Sequence, residues 1–151
     1  MAALVFGVLL TSNVALADRI RCVSGAVCRG SQQADVMTGT QGADQIFAEG
    51  GDDQITGRTG GDRINGGAGD DLIFGESEGD RLDGGVGNDR IVGGDGIDIV
   101  FGGSNNDTID SASDEGLGAL RDEVDCGEGI DTVVADALDK VAANCENVTR
   151  V

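Results

Sequence analysis

The chain contains no proline, histidine, tryptophan or tyrosine, and its only aromatic residues are four phenylalanines among 151 positions. Without proline, polyproline and collagen architectures are excluded. Without histidine the usual general base is missing, and without tryptophan or tyrosine so are the common stacking platforms for nucleic-acid bases. Positive charge is also scarce: ten basic residues face 28 acidic ones, a net charge of −18. Such a surface repels nucleic acid and anionic membrane and attracts cations. Acidity also serves plain solubility, so the placement of the acids has to decide between the two uses.

Apolar runs are confined to the start. Residues 1–17, MAALVFGVLLTSNVALA, end in Ala15-Leu16-Ala17, the small-x-small form of a signal-peptidase site. The run lacks a Lys or Arg after Met1, which leaves two alternatives, a start further upstream or a short membrane anchor. Its length favours cleavage, giving a secreted, extracellular mature chain from Asp18 with no membrane insertion. Cys22, Cys28, Cys126 and Cys145 form an even set, as expected of an exported chain with two disulfides. Of the three possible pairings, Cys22 with Cys28 and Cys126 with Cys145 is preferred, because each pair flanks one end of the repeats below. A four-thiolate zinc site lacks its usual C-x-x-C spacing.

What the chain has in excess is glycine, 27 residues, and it is periodic. From Gly30 to Asp110 the sequence divides without insertion into nine blocks of nine: GSQQADVMT, GTQGADQIF, AEGGDDQIT, GRTGGDRIN, GGAGDDLIF, GESEGDRLD, GGVGNDRIV, GGDGIDIVF and GGSNNDTID. Position six is always Asp (Asp35, Asp44, Asp53, Asp62, Asp71, Asp80, Asp89, Asp98, Asp107) and position eight always apolar (Met37, Ile46, Ile55, Ile64, Ile73, Leu82, Ile91, Val100, Ile109). Position one is Gly except at Ala48.

Six loop residues followed by three with a central aliphatic side chain describe a turn and a short strand, with position eight pointing inward. Two blocks make one coil of an all-β, right-handed parallel β-roll, so that nine half-coils alternate between two opposite sheets. The aspartates then form two ladders, Asp35, Asp53, Asp71, Asp89 and Asp107 on one edge and Asp44, Asp62, Asp80 and Asp98 on the other. Two unit charges about 5 Å apart at an effective dielectric near 20 repel by roughly 3 kcal/mol, so a cation is expected between successive loops. Carboxylate and carbonyl oxygens suit calcium.

These blocks resemble the GGxGxDxUx nonapeptide of RTX, or hemolysin-type, calcium-binding proteins, over 81 of 151 residues. The resemblance implies a β-roll in which glycine-turn carbonyls and the aspartate share Ca²⁺ with the loop one coil away. Carried over by position, it implies several ions. The best-matching loops are Gly66, Gly67, Gly69 with Asp71, then Gly84, Gly85, Gly87 with Asp89, and Gly102, Gly103 with Asp107. One site is expected between Asp71 and Asp89 and another between Asp89 and Asp107, with Asn105 in place of a glycine in the latter. Asp53 extends this edge. On the other edge Gly93, Gly94, Gly96 and Asp98 match well, whereas Glu76 and Glu78 occupy glycine positions before Asp80, which weakens expectations for Asp62, Asp80 and Asp98. Gln33 and Thr40 depart from the pattern, so Asp35 and Asp44 are expected to be capping turns.

The repeat region carries 17 acidic and four basic residues and only one inward side chain per block. Such a chain resists compaction, so calcium binding and folding are expected to be coupled. Residues 18–29 are expected to cap the roll and residues 111–151 to form a C-terminal cap of irregular repeats. There, Asp122-Glu123-Val124, Asp131-Thr132-Val133 and Asp139-Lys140-Val141 echo the pattern. A rival helix would place Leu138, Val141, Cys145 and Val148 on one face. Outward positions seven and nine gather Leu72, Phe74 and Val92 on one sheet, and Ile99 and Phe101 on the other. The tail folding back over them and a partner-binding patch are the two readings.

The function expected is therefore a secreted calcium-binding protein, with a calcium-stabilised extracellular adhesion or surface-binding scaffold as the alternative and the protein or cell-surface partner open. An ice-binding array would need regular outward threonines, and positions seven and nine vary instead. An enzyme is not expected: about 53 mature residues lie outside the repeats, without histidine or a nucleophile motif.

Overall fold

A computed structural model describes residues 18–112 and 120–151. The leader expected over residues 1–17 lies outside the described residues. Fifteen strands follow one another: β1 (Asp18–Arg21), β2 (Val27–Arg29), β3 (Asp35–Thr38), β4 (Gln45–Phe47), β5 (Gln54–Thr59), β6 (Arg63–Ala68), β7 (Leu72–Ser77), β8 (Arg81–Val86), β9 (Arg90–Asp95), β10 (Ile99–Ser104), β11 (Thr108–Asp110), β12 (Glu123–Glu128), β13 (Thr132–Ala135), β14 (Lys140–Val141) and β15 (Asn147–Arg150). Odd strands form an eight-stranded sheet in the order β1-β3-β5-β7-β9-β11-β13-β15, and even strands a seven-stranded sheet from β14 down to β2. Every neighbour pair is parallel. The chain is a parallel β-solenoid, as the repeat predicts, and its ladder of strands runs beyond the nine blocks at both ends.

Register follows directly from the 18-residue period. Ile55 pairs with Ile73 and Ile73 with Ile91 on one sheet, Ile64 with Leu82 on the other. Stacking like on like gives two aliphatic columns, Met37, Ile55, Ile73, Ile91, Ile109 and Val133 facing Ile46, Ile64, Leu82, Val100 and Val124, all almost fully buried. The core is one side chain deep from each sheet, with little else to hold it except the strand ladders.

The tail extends the sheets. Ile99 pairs with Glu123 and Ile109 with Val133, a step of 24 instead of 18. The described residues contain no helix, so Leu138, Val141, Cys145 and Val148 do not form one: Val141 and Val148 lie in strands β14 and β15, Leu138 and Cys145 in the connections before them. Nor does the described tail fold back over Leu72, Phe74, Val92, Ile99 and Phe101, which are half-buried by their own neighbours along the strands. Arg81 covers part of this surface, its guanidinium 4.4 Å from the Phe101 ring centre. The disulfides are Cys22–Cys28, within the first coil, and Cys126–Cys145, across adjacent coils. With all four sulfurs so bonded and no free cysteine among the described residues, no thiolate zinc site exists there.

Candidate metal centre

Each position-six aspartate ends the turn that leads into a strand, and all nine are buried to 3% exposure or less. One carboxylate oxygen has a fixed role that the repeat pattern does not reveal. The Asp53 N–H donates to Asp71 Oδ1 at 2.8 Å, Asp71 N–H to Asp89 Oδ1 at 2.8 Å, and Asp89 N–H to Asp107 Oδ1 at 2.8 Å. The other edge repeats this, Asp62 to Asp80 at 2.7 Å and Asp80 to Asp98 at 2.8 Å. The ladders are thus hydrogen-bonded columns as well as charge columns, and each carboxylate ties its coil to the previous one.

The second oxygen divides the loops into two kinds. Oδ2 of Asp53, Asp62, Asp71, Asp80, Asp89, Asp98, Asp107 and Asp131 is buried without any hydrogen-bond donor. In all eight of these loops position two has positive φ: Glu49, Arg58, Gly67, Glu76, Gly85, Gly94, Gly103 and Gly127. In the first two loops φ at position two is not positive, and its N–H turns onto the aspartate instead. Ser31 N–H donates to Asp35 Oδ2 at 2.7 Å and Thr40 N–H to Asp44 Oδ2 at 2.6 Å. At the far end Asp139 is also answered by protein, its Oδ2 receiving the Asp136 N–H at 2.7 Å and the Ser111 hydroxyl at 3.1 Å.

Glycine is used where atoms approach closely. A Cβ on Gly66 would lie 2.3 Å from Asp71 Oδ2, and one on Gly84 2.3 Å from Asp89 Oδ2. Gly93 and Gly102 face Asp98 and Asp107 in the same way. At positions two and four the carbonyls stack: Gly67 O lies against Gly85, Gly69 O against Gly87, Gly85 O against Gly103, and Glu76 O and Glu78 O against Gly94 and Gly96. Glu76, Glu78 and Asn105 keep the left-handed backbone of the glycines they replace, with φ of 80°, 74° and 84°. The turn survives these departures, each at a cost of about 1–2 kcal/mol for a side chain in that region.

An isolated carboxylate oxygen buried without a donor is costly, and its acidity responds. Burial, opposed by the backbone N–H and reinforced by neighbouring aspartates, pushes Asp80 up to about 8. The same cause brings Asp71, Asp107 and Asp122 to about 7. Asp53, Asp62, Asp89 and Asp98 rise to about 6. Among the described residues no three acidic or thiol side chains converge, so the donors available to a cation here would be one carboxylate oxygen per loop and backbone carbonyls. That donor set, hard oxygens only, fits calcium.

Asp131 was not among the site residues expected, though its Asp-Thr-Val triplet carried the signal; the 24-residue step hid its register. Asp107 N–H donates to Asp131 Oδ1 at 2.8 Å, and Asp131's own N–H meets Glu146 Oε2 at 2.9 Å. A further polar column on the Asp71 edge was also missed. Asp52, Asp70, Asn88 and Asn106 each accept the backbone N–H of the next coil, from Asp70, Asn88, Asn106 and Ile130.

No curated protein matches the chain. The family profile of the RTX calcium-binding nonapeptide repeat, four copies, matches residues 29–63, 56–91 and 83–115, more than half of the sequence. The repeated aspartates, their glycine turns and this match agree, and the chain belongs to the RTX calcium-binding nonapeptide repeat family.

Proposed function

We propose that this protein is an exported calcium-binding roll in which Ca²⁺ sits between stacked loops and makes folding conditional on the metal. The single observation that carries this reading is the set of eight buried aspartate Oδ2 atoms without donors, in the eight loops with positive φ at position two. Asp53, Asp62, Asp71, Asp80, Asp89, Asp98 and Asp107 are the proposed carboxylate ligands, and Asp131 joins them. The carbonyl columns that run through Gly67, Gly85 and Gly103, through Gly69 and Gly87, and through Glu76 with Gly94 and Glu78 with Gly96, supply further oxygen, while Gly66, Gly84, Gly93 and Gly102 leave room for the carboxylates. A bound cation supplies positive charge between carboxylates that burial otherwise drives toward protonation. Calcium outside cells is abundant enough to saturate modules working near roughly 0.1–1 mM, so export would itself trigger folding.

Export rests on the apolar residues 1–17 and on two disulfides of the kind that persist in oxidising compartments. Cleavage before Asp18 and caps over residues 18–29 and 111–151 belong to the same proposal. The role is binding and scaffolding, with no catalytic step. The test is calorimetric titration of chelator-treated protein with Ca²⁺, followed in parallel by far-UV circular dichroism. Several ions bound with a coil-to-sheet transition are expected. Full sheet content in chelator would remove the coupling to folding, and no binding at millimolar calcium would remove the function.

A further inference from the structure

In a chain with only ten basic residues, two of them, Arg21 and Arg58, line the same open groove of about 330 Å³ together with Thr38, Thr40 and Gln41. No acidic side chain lines it. Arg21 comes from the end of β1, in register with Thr38, and is held there by its neighbour Cys22, which donates its N–H to Thr38 O at 2.9 Å and is bonded to Cys28. Arg58 comes from β5 at a position-two site with φ of 86°, where Gly67, Gly85, Gly94 and Gly103 stand in other loops. Its register partner on β7 is Glu76, yet the ion pairs among the described residues are Arg29–Glu49 and Lys140–Glu123, and Arg58 turns to the groove.

The local charge favours an anion in spite of the molecule's overall sign. The carboxylate of the turn that carries Thr40 and Gln41, Asp44, is already answered by the Thr40 N–H and hydroxyl, so this turn has no orphaned oxygen and no call for a cation. We propose that this groove binds a small ligand through an oxyanion, a carboxylate or a sulfate group, held between the Arg21 and Arg58 guanidiniums with the polar groups of Thr38 and Gln41 beside it. Guanidinium forks match such oxygens in paired hydrogen bonds. The net charge of −18 opposes approach of any anion, so the calcium-loaded protein is the binding-competent form.

The experiment titrates calcium-loaded protein with inorganic sulfate in one arm and a galacturonate disaccharide in the other, following backbone amide shifts by NMR. Saturable shifts confined to Arg21, Thr38–Gln41 and Arg58 are expected in at least one arm, and which arm saturates distinguishes tetrahedral from planar recognition. Arg58→Gly suits the left-handed backbone, so it should keep or raise the melting temperature while weakening binding about tenfold. Arg63→Gln, on the outer face of β6, should leave binding unchanged. The proposal is overturned if neither arm saturates, if Arg63 and Arg81 shift as much as Arg21 and Arg58, or if Arg58→Gly binds as well as the parent.

Discussion

The first two loops of the roll and the loops that follow carry the same buried aspartate and treat it in opposite ways. Asp35 and Asp44 each have a donor on Oδ2 from their own turn, Ser31 N–H or Thr40 N–H, while Asp35, first in its column, has no donor on Oδ1. Asp53 through Asp107 have the place in the ladder and an Oδ2 that nothing in the protein answers. The difference lies in one dihedral. A positive φ at position two accompanies an unanswered Oδ2 in every such loop, and its absence accompanies an Oδ2 answered by the turn itself. The Oδ2 atoms of the first two loops are therefore answered by the polypeptide, whereas those of the middle loops are left over for a hard cation.

The largest expected effect comes from removing one such oxygen while keeping the hydrogen bond. Asp89→Asn retains an acceptor for the Asp71 N–H and replaces Oδ2 with a donor. It should lower the calcium stoichiometry and raise the calcium midpoint of folding about tenfold, roughly the 1.4 kcal/mol of one lost charged contact. Asp44→Asn in the self-satisfied loop sets an amide donor against the Thr40 N–H. It should cost about 1 kcal/mol in urea unfolding with the number of ions unchanged. Equal calcium stoichiometry for the two variants would abolish the distinction between end and middle loops.

Acid should act on the middle loops in opposite directions with and without metal. Burial raises Asp71, Asp80 and Asp107 from an ordinary 3.8 to about 7, 8 and 7. A carboxyl raised in the folded state favours the fold when protonated: its contribution is complete below the unfolded value near 3.8 and is lost as pH rises through 7 to 8. Chelated protein should therefore gain strand signal in circular dichroism as pH falls from about 8 to 4, while calcium-loaded protein releases its ions over the same range. Melting of the chelated form on acidification would mean that these carboxylates are ionised and paired without metal.

How much of this was readable beforehand depended on which part of the loop carried the information. The alternation of Ile55, Ile64, Ile73 and Leu82 between two sheets, and the two aspartate ladders, follow from an unbroken period of nine. Thr40 as a capping turn was legible too, because a β-branched residue resists the left-handed region and its hydroxyl competes for the carboxylate. Glu49, Arg58 and Glu76 were not, since each adopts the backbone that glycine adopts more cheaply, and residue identity alone does not announce it. Asp131 escaped because six extra residues shift its register without altering the column it joins. The Oδ1 bonds escaped because every block has the same Asp, and a constant carries no contrast.

If Thr40 is what holds the second loop in its self-satisfied form, Thr40→Gly should convert it. The hydroxyl that reaches Asp44 Oδ1 at 3.2 Å disappears, and positive φ becomes free of steric cost. One additional calcium ion per chain is the expected outcome, read by titration of stoichiometry. An unchanged count would place the control of φ elsewhere in the loop, beyond position two.

The smallest effects should come from loops that already have the left-handed backbone but not the glycine. Glu78→Gly removes a side chain at φ of 74° and one of the charges that raise Asp80. It should stabilise the chelated protein against urea by about 1 kcal/mol and bring the Asp80 titration down. Asn105→Gly, at φ of 84°, should gain less, a few tenths of a kcal/mol, because asparagine tolerates this region better than glutamate. The pair separates strain from charge. A gain at Glu78 with none at Asn105 makes the middle loops' weakness mostly electrostatic, hence correctable by a cation. Equal gains make it mostly conformational, and calcium binding would then relieve little of it.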